Sequence, residues 1–267
     1  MVIGFAGRLR SGKTEAANIL VERGFEKMSF AFPLKRFVSE FLMISMEELN
    51  DRKNGVVSDT DYVWTNDSQF ERMESLTGVP SAFFREKLCG KVVHGVRKIL
   101  QVMGTDVLRA YDNDWHVKAV RKLIDPSKNY VFDDVRFPNE VELIRGVGGK
   151  CWFVVRNKVD NVMNHVSETS LRWQDFGSDI ILNTGNLEEY RHNVKCVTQD
   201  DLDSTAYEKW VGDVIADYRR MVAGLDYSKI LSATPSGEKV IKVEYEKGNV
   251  YYDTNPLLLE DLKFFVE

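Results

Sequence analysis

Cysteine and proline are scarce in this chain, with three cysteines and six prolines among 267 residues. Cys89, Cys151 and Cys196 are odd in number, far apart and form no C-x-x-C pair. That excludes a disulfide framework and a cysteine-based zinc site, and it suits a reducing compartment. No apolar run approaches the length of roughly 18 residues that a bilayer crossing requires. Met1 leads directly into an apolar strand, without a basic segment followed by a longer apolar one, so the expectation is an unexported, cytoplasmic protein with no membrane partner. An excess of positive charge is missing too: 36 Lys and Arg stand against 41 Asp and Glu, a net charge of −5. A broad nonspecific nucleic-acid surface does not fit that balance, whereas small phosphorylated substrates do. Internal repeats and low-complexity tracts are absent.

What is present suffices for one good core plus an insertion or appendage, since 43% of the residues are hydrophobic and 29% charged. The most informative segment is Gly7-Arg8-Leu9-Arg10-Ser11-Gly12-Lys13-Thr14, a G-x-x-x-x-G-K-T phosphate loop between an apolar run, Val2 to Ala6, and a helical pattern. In such a loop the backbone N–H groups converge on phosphate oxygens at a helix N-terminus. Lys13 reaches the β- and γ-phosphates, and the Thr14 hydroxyl can coordinate Mg²⁺. Nucleoside triphosphate binding is the first expectation, with Arg8 and Arg10 adding positive charge over the phosphates.

Helical spacing over Glu15 to Arg23, a strand at Glu26 to Phe30 and a second helix from Leu34 to Leu42 predict a β-α-β-α opening. Residues 47–85 are polar and dense in Asp, Asn, Ser and Arg, and they read as an insertion with short helices. Val92 to Leu108 predicts a helix breaking at Gly104, and Trp115 to Ile124 another. Strands at Tyr130 to Phe132 and Cys151 to Val155 flank a helix at Pro138 to Arg145, as in a buried parallel sheet, and Asp179 to Leu182 adds a last strand. From Ser204 an amphipathic helix is followed by a hairpin, with Val240 to Tyr245 and Val250 to Tyr252 as its strands. The predicted class is therefore α/β, a parallel sheet flanked by helices with a C-terminal helix and hairpin.

A kinase needs a carboxylate for the metal near the phosphate loop, and cations facing the acceptor. The run Val131-Phe132-Asp133-Asp134-Val135-Arg136-Phe137-Pro138-Asn139-Glu140 offers both at the carboxyl end of a strand, where open α/β sheets bind ligands. Asp133 or Asp134 could hold Mg²⁺, and Arg136 could fork onto an acceptor phosphate. Capping of the following helix is the structural alternative for the two acids. Arg97 and Gln101, four apart, share a helix face that could hold phosphate or base edges, and Trp115 could stack on a base or join the core. Asn157-Lys158-Val159-Asp160 matches the guanine-reading N-K-x-D of GTPases, but no D-x-x-G accompanies it.

These pieces, in order, resemble the bacteriophage deoxynucleoside monophosphate kinases, a branch of the P-loop nucleoside monophosphate kinases. The resemblance rests on the phosphate loop, Phe32 to Lys35, Gln101 to Asp106, Trp115 to Lys118, Asp134 to Arg136 with Glu140, Gly149 to Arg156, His165 to Glu168, and Asp179 to Glu189 with Asn183. It covers most of residues 1–195. It implies transfer of the ATP γ-phosphoryl group, with Mg²⁺, to a deoxynucleoside 5′-monophosphate in an infected host cell. Lys35 and Arg136 would clamp the acceptor phosphate, while Gly104, Thr105, Trp115 and Glu140 would line the deoxynucleoside pocket. Arg156 and the His165 loop would close as a lid, and Asn183 would lie near adenine.

The implied layout is a kinase core at 1–200, with an NMP-binding insertion at about 47–95 and a lid at about 156–175, followed by an extension at 201–267 that docks on the core or serves a dimer. Rival readings are a kinase of hydroxymethyluracil, as nucleotide or within DNA, a dephospho-coenzyme-A kinase, and a nucleotide-binding switch without transfer activity. The acidic total favours a mononucleotide acceptor over DNA.

Overall fold

The computed structural model describes residues 1–156, 170–198, 204–223, 225–235, 240–245, 248–253 and 255–262. In chain order it runs β1 (Val2–Ala6), α1 (Lys13–Val21), β2 (Glu26–Met28), α2 (Phe32–Leu42), α3 (Met46–Asn54), β3 (Asp61–Val63), α4 (Asp67–Thr77), α5 (Ser81–Leu88), β4 (Val92–His94) and α6 (Gly95–Gln101). A π-helical stretch, Val102–Arg109, then precedes α7 (Trp115–Arg121), β5 (Tyr130–Val135), α8 (Pro138–Gly146), β6 (Lys150–Arg156), β7 (Ile180–Asn183), α9 (Leu187–Thr198) and α10 (Ser204–Val222). The chain closes with β8 (Ile230–Pro235), β9 (Val240–Tyr245), β10 (Gly248–Asp253) and α11 (Pro256–Leu262). These elements form two compact units, residues 1–27 with 126–267, and residues 28–125.

The first unit is built on a five-stranded sheet in the order β2-β5-β1-β6-β7, with β1 parallel to both β5 and β6, and β6 parallel to β7. Every residue of β1 is buried, and β6 is buried except at its ends, as befits strands covered on both faces. Ala16, Ala17, Ile19 and Leu20 of α1 pack with Ile3, Phe5, Val131, Trp152, Val154 and Ile181 in one apolar cluster. The predicted α/β class, a parallel sheet flanked by helices, is what forms. Strand order reverses around β1, because the next strand in sequence lies two places away on one side while β6 and β7 lie on the other. The carboxyl end of β1 therefore opens onto the crevice of an open α/β sheet.

Two of the strands differ from expectation at that end. β2 stops at Met28, and Pro33 sits in the first turn of α2 rather than before it, a place where its missing N–H costs nothing. β5 continues through Asp133 and Asp134 to Val135, and its register against β1 shifts there, Gly4 facing Phe132 but Ala6 facing Val135. Three residues of β5 thus advance against two of β1. Such a bulge breaks the alternation of side chains at the two acids.

The C-terminal elements belong to this unit. β8, β9 and β10 form an antiparallel sheet containing the expected hairpin. The Tyr207 hydroxyl of α10 accepts from Leu182 N (2.9 Å) and donates to Ile180 O (3.2 Å), which fixes this helix to β7. Asp261 of α11 accepts from Trp173 Nε1 (3.0 Å), Gln174 Nε2 (3.1 Å) and the Tyr218 hydroxyl.

The second unit gives form to the polar stretch that the sequence left unplaced. Its core collects a few large apolar residues: Leu49, Phe70, Met73, Phe84 and Leu88 join Leu34, Phe37, Val38, Phe41 and Trp64, while Val56, Val57 and Val63 stay exposed. The abundant polar residues start the helices. Ser45 Oγ accepts from Glu48 N (3.0 Å), and Asn66 with Gln69 makes a reciprocal capping box at α4. The expected helix from Val92 to Leu108 is replaced by β4, paired antiparallel with β3, then α6 and the π-helical stretch. No break occurs at Gly104. A Cβ there would lie 2.8 Å from Leu34 Cδ2, so this glycine serves a close helix approach rather than a helix end.

His116 is buried beneath that approach, with Nε2 donating to Gly104 O at 3.3 Å. Burial, with the Arg109 charge nearby, pushes its imidazole down to about 4, against the opposing hydrogen bonds to the Gly104 and Phe30 backbone. The unfolded imidazole titrates near 6.5. Between those values the unfolded chain binds a proton that the folded one refuses, so this stabilisation is complete above pH 6.5 and is lost as pH falls towards 4. The loss should approach roughly 3 kcal/mol. Urea midpoints of wild type and His116→Gln, compared from pH 7 to 4.5, should converge on acidification; a constant gap would refute the assignment.

Candidate active site

In the first unit the catalytic candidates gather at the carboxyl ends of β1, β5, β6 and β7. The loop leaves β1 at Gly7 (φ 132°) and enters α1 through Gly12 (φ 112°), both in backbone regions that side chains disfavour. A Cβ on Gly7 would lie 2.5 Å from Val154 O, and one on Gly12 would lie 2.7 Å from Asn183 Nδ2. Arg10, at φ 62°, is a non-glycine residue in the left-handed region. Lys13 is buried, and its ammonium donates to Gly7 O (2.7 Å) and Arg8 O (2.6 Å), so its charge is held over the curve of the loop. Ser11 Oγ is buried without a hydrogen-bond partner among the described residues. An unsatisfied hydroxyl beside an enclosed ammonium suits an incoming anion.

Neighbouring strands brace this loop. Asn183, at the end of β7, donates from Nδ2 to Ser11 O (2.7 Å), and the Tyr190 hydroxyl of α9 donates to Gly12 O (2.9 Å). Burial raises the Tyr190 phenol well above its ordinary range, which keeps it a donor. Arg156, at the end of β6, donates to Arg10 O at 2.8 Å. Of the two arginines expected above the phosphates, Arg10 is exposed. Arg8 is instead buried, with Nε 2.9 Å from Glu260 Oε1 of α11, because a guanidinium removed from water requires an anionic partner.

The β5 bulge brings one of the two predicted acids to the loop. Asp133 Oδ2 accepts from the exposed Thr14 hydroxyl at 2.8 Å and pairs with Lys27 Nζ at 2.7 Å. Thr14 and Asp133 are oxygen donors of the kind that a hard divalent cation takes. Asp134, the next residue, is half-buried. The third acid, Glu140, is buried and caps α8, its Oε2 accepting from Arg136 N (2.8 Å) and Phe137 N (3.2 Å). This cap fixes the backbone from which the half-buried Arg136 side chain projects.

The second unit carries the remaining candidates. Lys35 is half-buried on the first turn of α2. Arg97 is exposed, with Nε 3.4 Å from Lys53 O, and Gln101 accepts from Lys98 Nζ at 3.3 Å. Thr105 lies half-buried in the π-helical stretch beside Gly104. Trp115 packs against the unit's core, and its Nε1 donates to Thr77 O at 3.2 Å. The N-K-x-D residues Asn157 to Asp160, His165 and Glu168, and most of the expected lid, lie outside the described residues.

Sequence reasoning missed Lys27, Tyr190 and Glu260. Lys27 belongs to a three-residue strand whose partner is set only by the sheet, and Tyr190 sits on the apolar stripe of α9, where a hydroxyl gives no periodic signal. Glu260 is separated from Arg8 by 252 residues.

A buried parallel sheet with a G-x-x-x-x-G-K-T loop at its reversal point, a lysine enclosed by that loop and a serviceable Thr–Asp pair define a P-loop kinase fold. A family model described as deoxynucleotide monophosphate kinase matches residues 86–194, a stretch that begins after the phosphate loop and takes in Asp133, Arg136, Arg156 and Asn183. Over 215 residues the chain is 28% identical to a protein of Acanthamoeba polyphaga mimivirus provisionally named a deoxynucleotide monophosphate kinase, which covers 74% of this chain and 96% of that relative. Both findings agree with the resemblance carried by the sequence, and they indicate an enzyme, a deoxynucleotide monophosphate kinase. No helix among the described residues is long and apolar enough to cross a membrane.

Proposed function

We propose that the chain transfers the γ-phosphoryl group of ATP to a deoxynucleoside 5′-monophosphate, yielding the diphosphate and ADP for DNA synthesis. The observation that carries this reading is the Lys13 ammonium over the loop, next in sequence to a Thr14 hydroxyl bonded to Asp133. An acceptor phosphate oxygen attacks the γ-phosphorus as the bond to the β–γ bridging oxygen breaks, and ADP leaves with that electron pair. Lys13 and the loop amides bind the donor phosphates and stabilise the charge that builds on the transferred group. Ser11 Oγ, without a hydrogen-bond partner among the described residues, supplies one more donor to the phosphates.

The residues present fit Mg²⁺, because Asp133 is a carboxylate already held beside a cation and bonded to the Thr14 hydroxyl. Thr14 and Asp133 would hold the ion, which neutralises phosphate charge when bound. Arg136 is assigned the acceptor phosphate together with Lys35, while Gln101, Gly104, Thr105 and Trp115 are assigned the deoxynucleoside. Arg97 is a further candidate for that acceptor, and Arg156 belongs with the lid that excludes water. The unit formed by residues 28–125 takes the part of the NMP-binding insertion, and residues beyond about 200 that of an extension to the core.

The test follows γ-labelled phosphate from ATP, with Mg²⁺, into dAMP, dGMP, dCMP, dTMP, hydroxymethyl-dUMP and hydroxymethyluracil-containing DNA. Label should accumulate in a deoxynucleoside diphosphate. Label in DNA alone, or in no acceptor, would replace this reading with a DNA kinase or a nucleotide-binding switch.

A further inference from the structure

The buried pair between the phosphate loop and the far end of the chain has no part in the reaction described above. Arg8 and Glu260 are 8% and 3% exposed, and Nε meets Oε1 at 2.9 Å. A charged pair removed from water persists only in close geometry with its hydrogen bonds made, so it fixes position more than it adds stability.

Arg8 is also a backbone element of the site, since its carbonyl accepts from both Lys13 Nζ (2.6 Å) and Ser11 N (3.2 Å). Whatever holds its side chain therefore holds the carbonyl over which the lysine is poised. α11, which carries Glu260, is itself firmly anchored. Asn255 is buried, caps the helix by accepting from Leu257 N (2.9 Å) and Leu258 N (3.3 Å), and donates to Val214 O (3.0 Å). Asp261 binds Trp173, Gln174 and Tyr218. Leu257, Leu258, Leu259 and Leu262 are buried around these groups.

We infer that Glu260 is a positioning residue of the phosphate loop, acting through Arg8 on the two carbonyls that hold Lys13, and that the C-terminal helix is thereby a working part of the ATP site. The inference rests on the reading of this loop as the ATP site. It predicts that changes at residue 260 alter ATP binding, whereas loss of the anchor at residue 261 alters stability alone, because Asn255 and the buried leucines still hold the helix in place.

The experiment measures equilibrium binding of ATP without acceptor, by calorimetry, together with far-UV circular dichroism and thermal unfolding. Glu260→Ala should weaken ATP binding about tenfold, as expected of a loop displaced by a fraction of an ångström, with the spectrum unchanged. Asp261→Asn should lower the unfolding temperature and leave ATP affinity at the wild-type value. Glu260→Gln, which can still accept from Arg8 Nε, should stay within about threefold of wild type. Should Glu260→Ala fail to fold, Glu260→Asp carries the test, since its shorter side chain draws Arg8 out of place and should weaken binding about fivefold. Wild-type affinity in a folded Glu260→Ala or, failing that, Glu260→Asp protein overturns the inference. Loss of ATP binding in Asp261→Asn to the same degree as in Glu260→Ala also overturns it. Absence of ATP binding by the wild-type protein overturns the functional reading instead.

Discussion

Lys13→Ala should lower turnover by on the order of 10³-fold or more while leaving the protein folded. The ammonium that is lost is a single charge enclosed by the curve of the loop, 2.7 Å from Gly7 O and 2.6 Å from Arg8 O, and the adjacent arginine cannot replace it. Arg8 points away into its pair with Glu260, and Arg10 is exposed on the outer part of the loop. The folding cost is modest, because two carbonyls lose a charged donor at a site open to water once the side chain is shortened, about 1–2 kcal/mol. The check is kcat with saturating ATP and the preferred deoxynucleoside monophosphate, beside a circular dichroism spectrum matching the wild type. A folded variant retaining a tenth of wild-type activity would remove Lys13 from the mechanism.

How much of this was readable beforehand depends on the range of the interactions. Gly7 to Thr14 announce themselves because the loop's work is done by consecutive backbone amides, and one stretch of chain contains them all. Asp133 and Arg136 were legible as a polar cluster at the end of a buried strand. Which acid meets Thr14 was not, because that is decided by a one-residue bulge against β1, and pairing register leaves no mark in the sequence of one strand. The polar stretch 47–85 was legible as an insertion with short helices but not in their bounds, because its helices need only one or two buried side chains each, with caps such as Ser45 and Asn66 supplying the rest. Gly104 misled for a related reason. A glycine that ends a helix and one that lets Leu34 approach look alike until the partner is known. The bonds bracing the loop from Asn183, Tyr190 and Glu260 are all more than 170 residues from their partners in sequence. Only the folded sheet brings them together.

Gly7→Ala should be the most destabilising single change in the phosphate loop. At φ 132° an alanine is strained in its own backbone, and its Cβ would lie 2.5 Å from Val154 O and 3.3 Å from Val154 N. Those atoms cannot retreat. Val154 lies in the middle of β6, whose neighbouring strands β1 and β7 hold it on both sides. Gly12→Ala, strained as well at φ 112°, provides the contrast, for its Cβ would meet the far end of Asn183 and the buried Tyr190 ring, which are side-chain rather than backbone atoms and give way at the expense of their bonds to Ser11 O and Gly12 O. Strain and overpacking together place Gly7→Ala at roughly 2–4 kcal/mol. For a protein of this size, that corresponds to a fall in unfolding temperature of roughly 5–15 °C. Gly12→Ala should fall by less than half as much. Both variants should bind ATP poorly, the first because Gly7 O is displaced from Lys13 and the second because the entry to α1 turns. Differential scanning calorimetry of the two beside wild type decides the order. A Gly7→Ala protein melting within 2 °C of wild type, by the same size scaling, would mean that β6 yields at Val154 and that the loop is not held against the sheet as described.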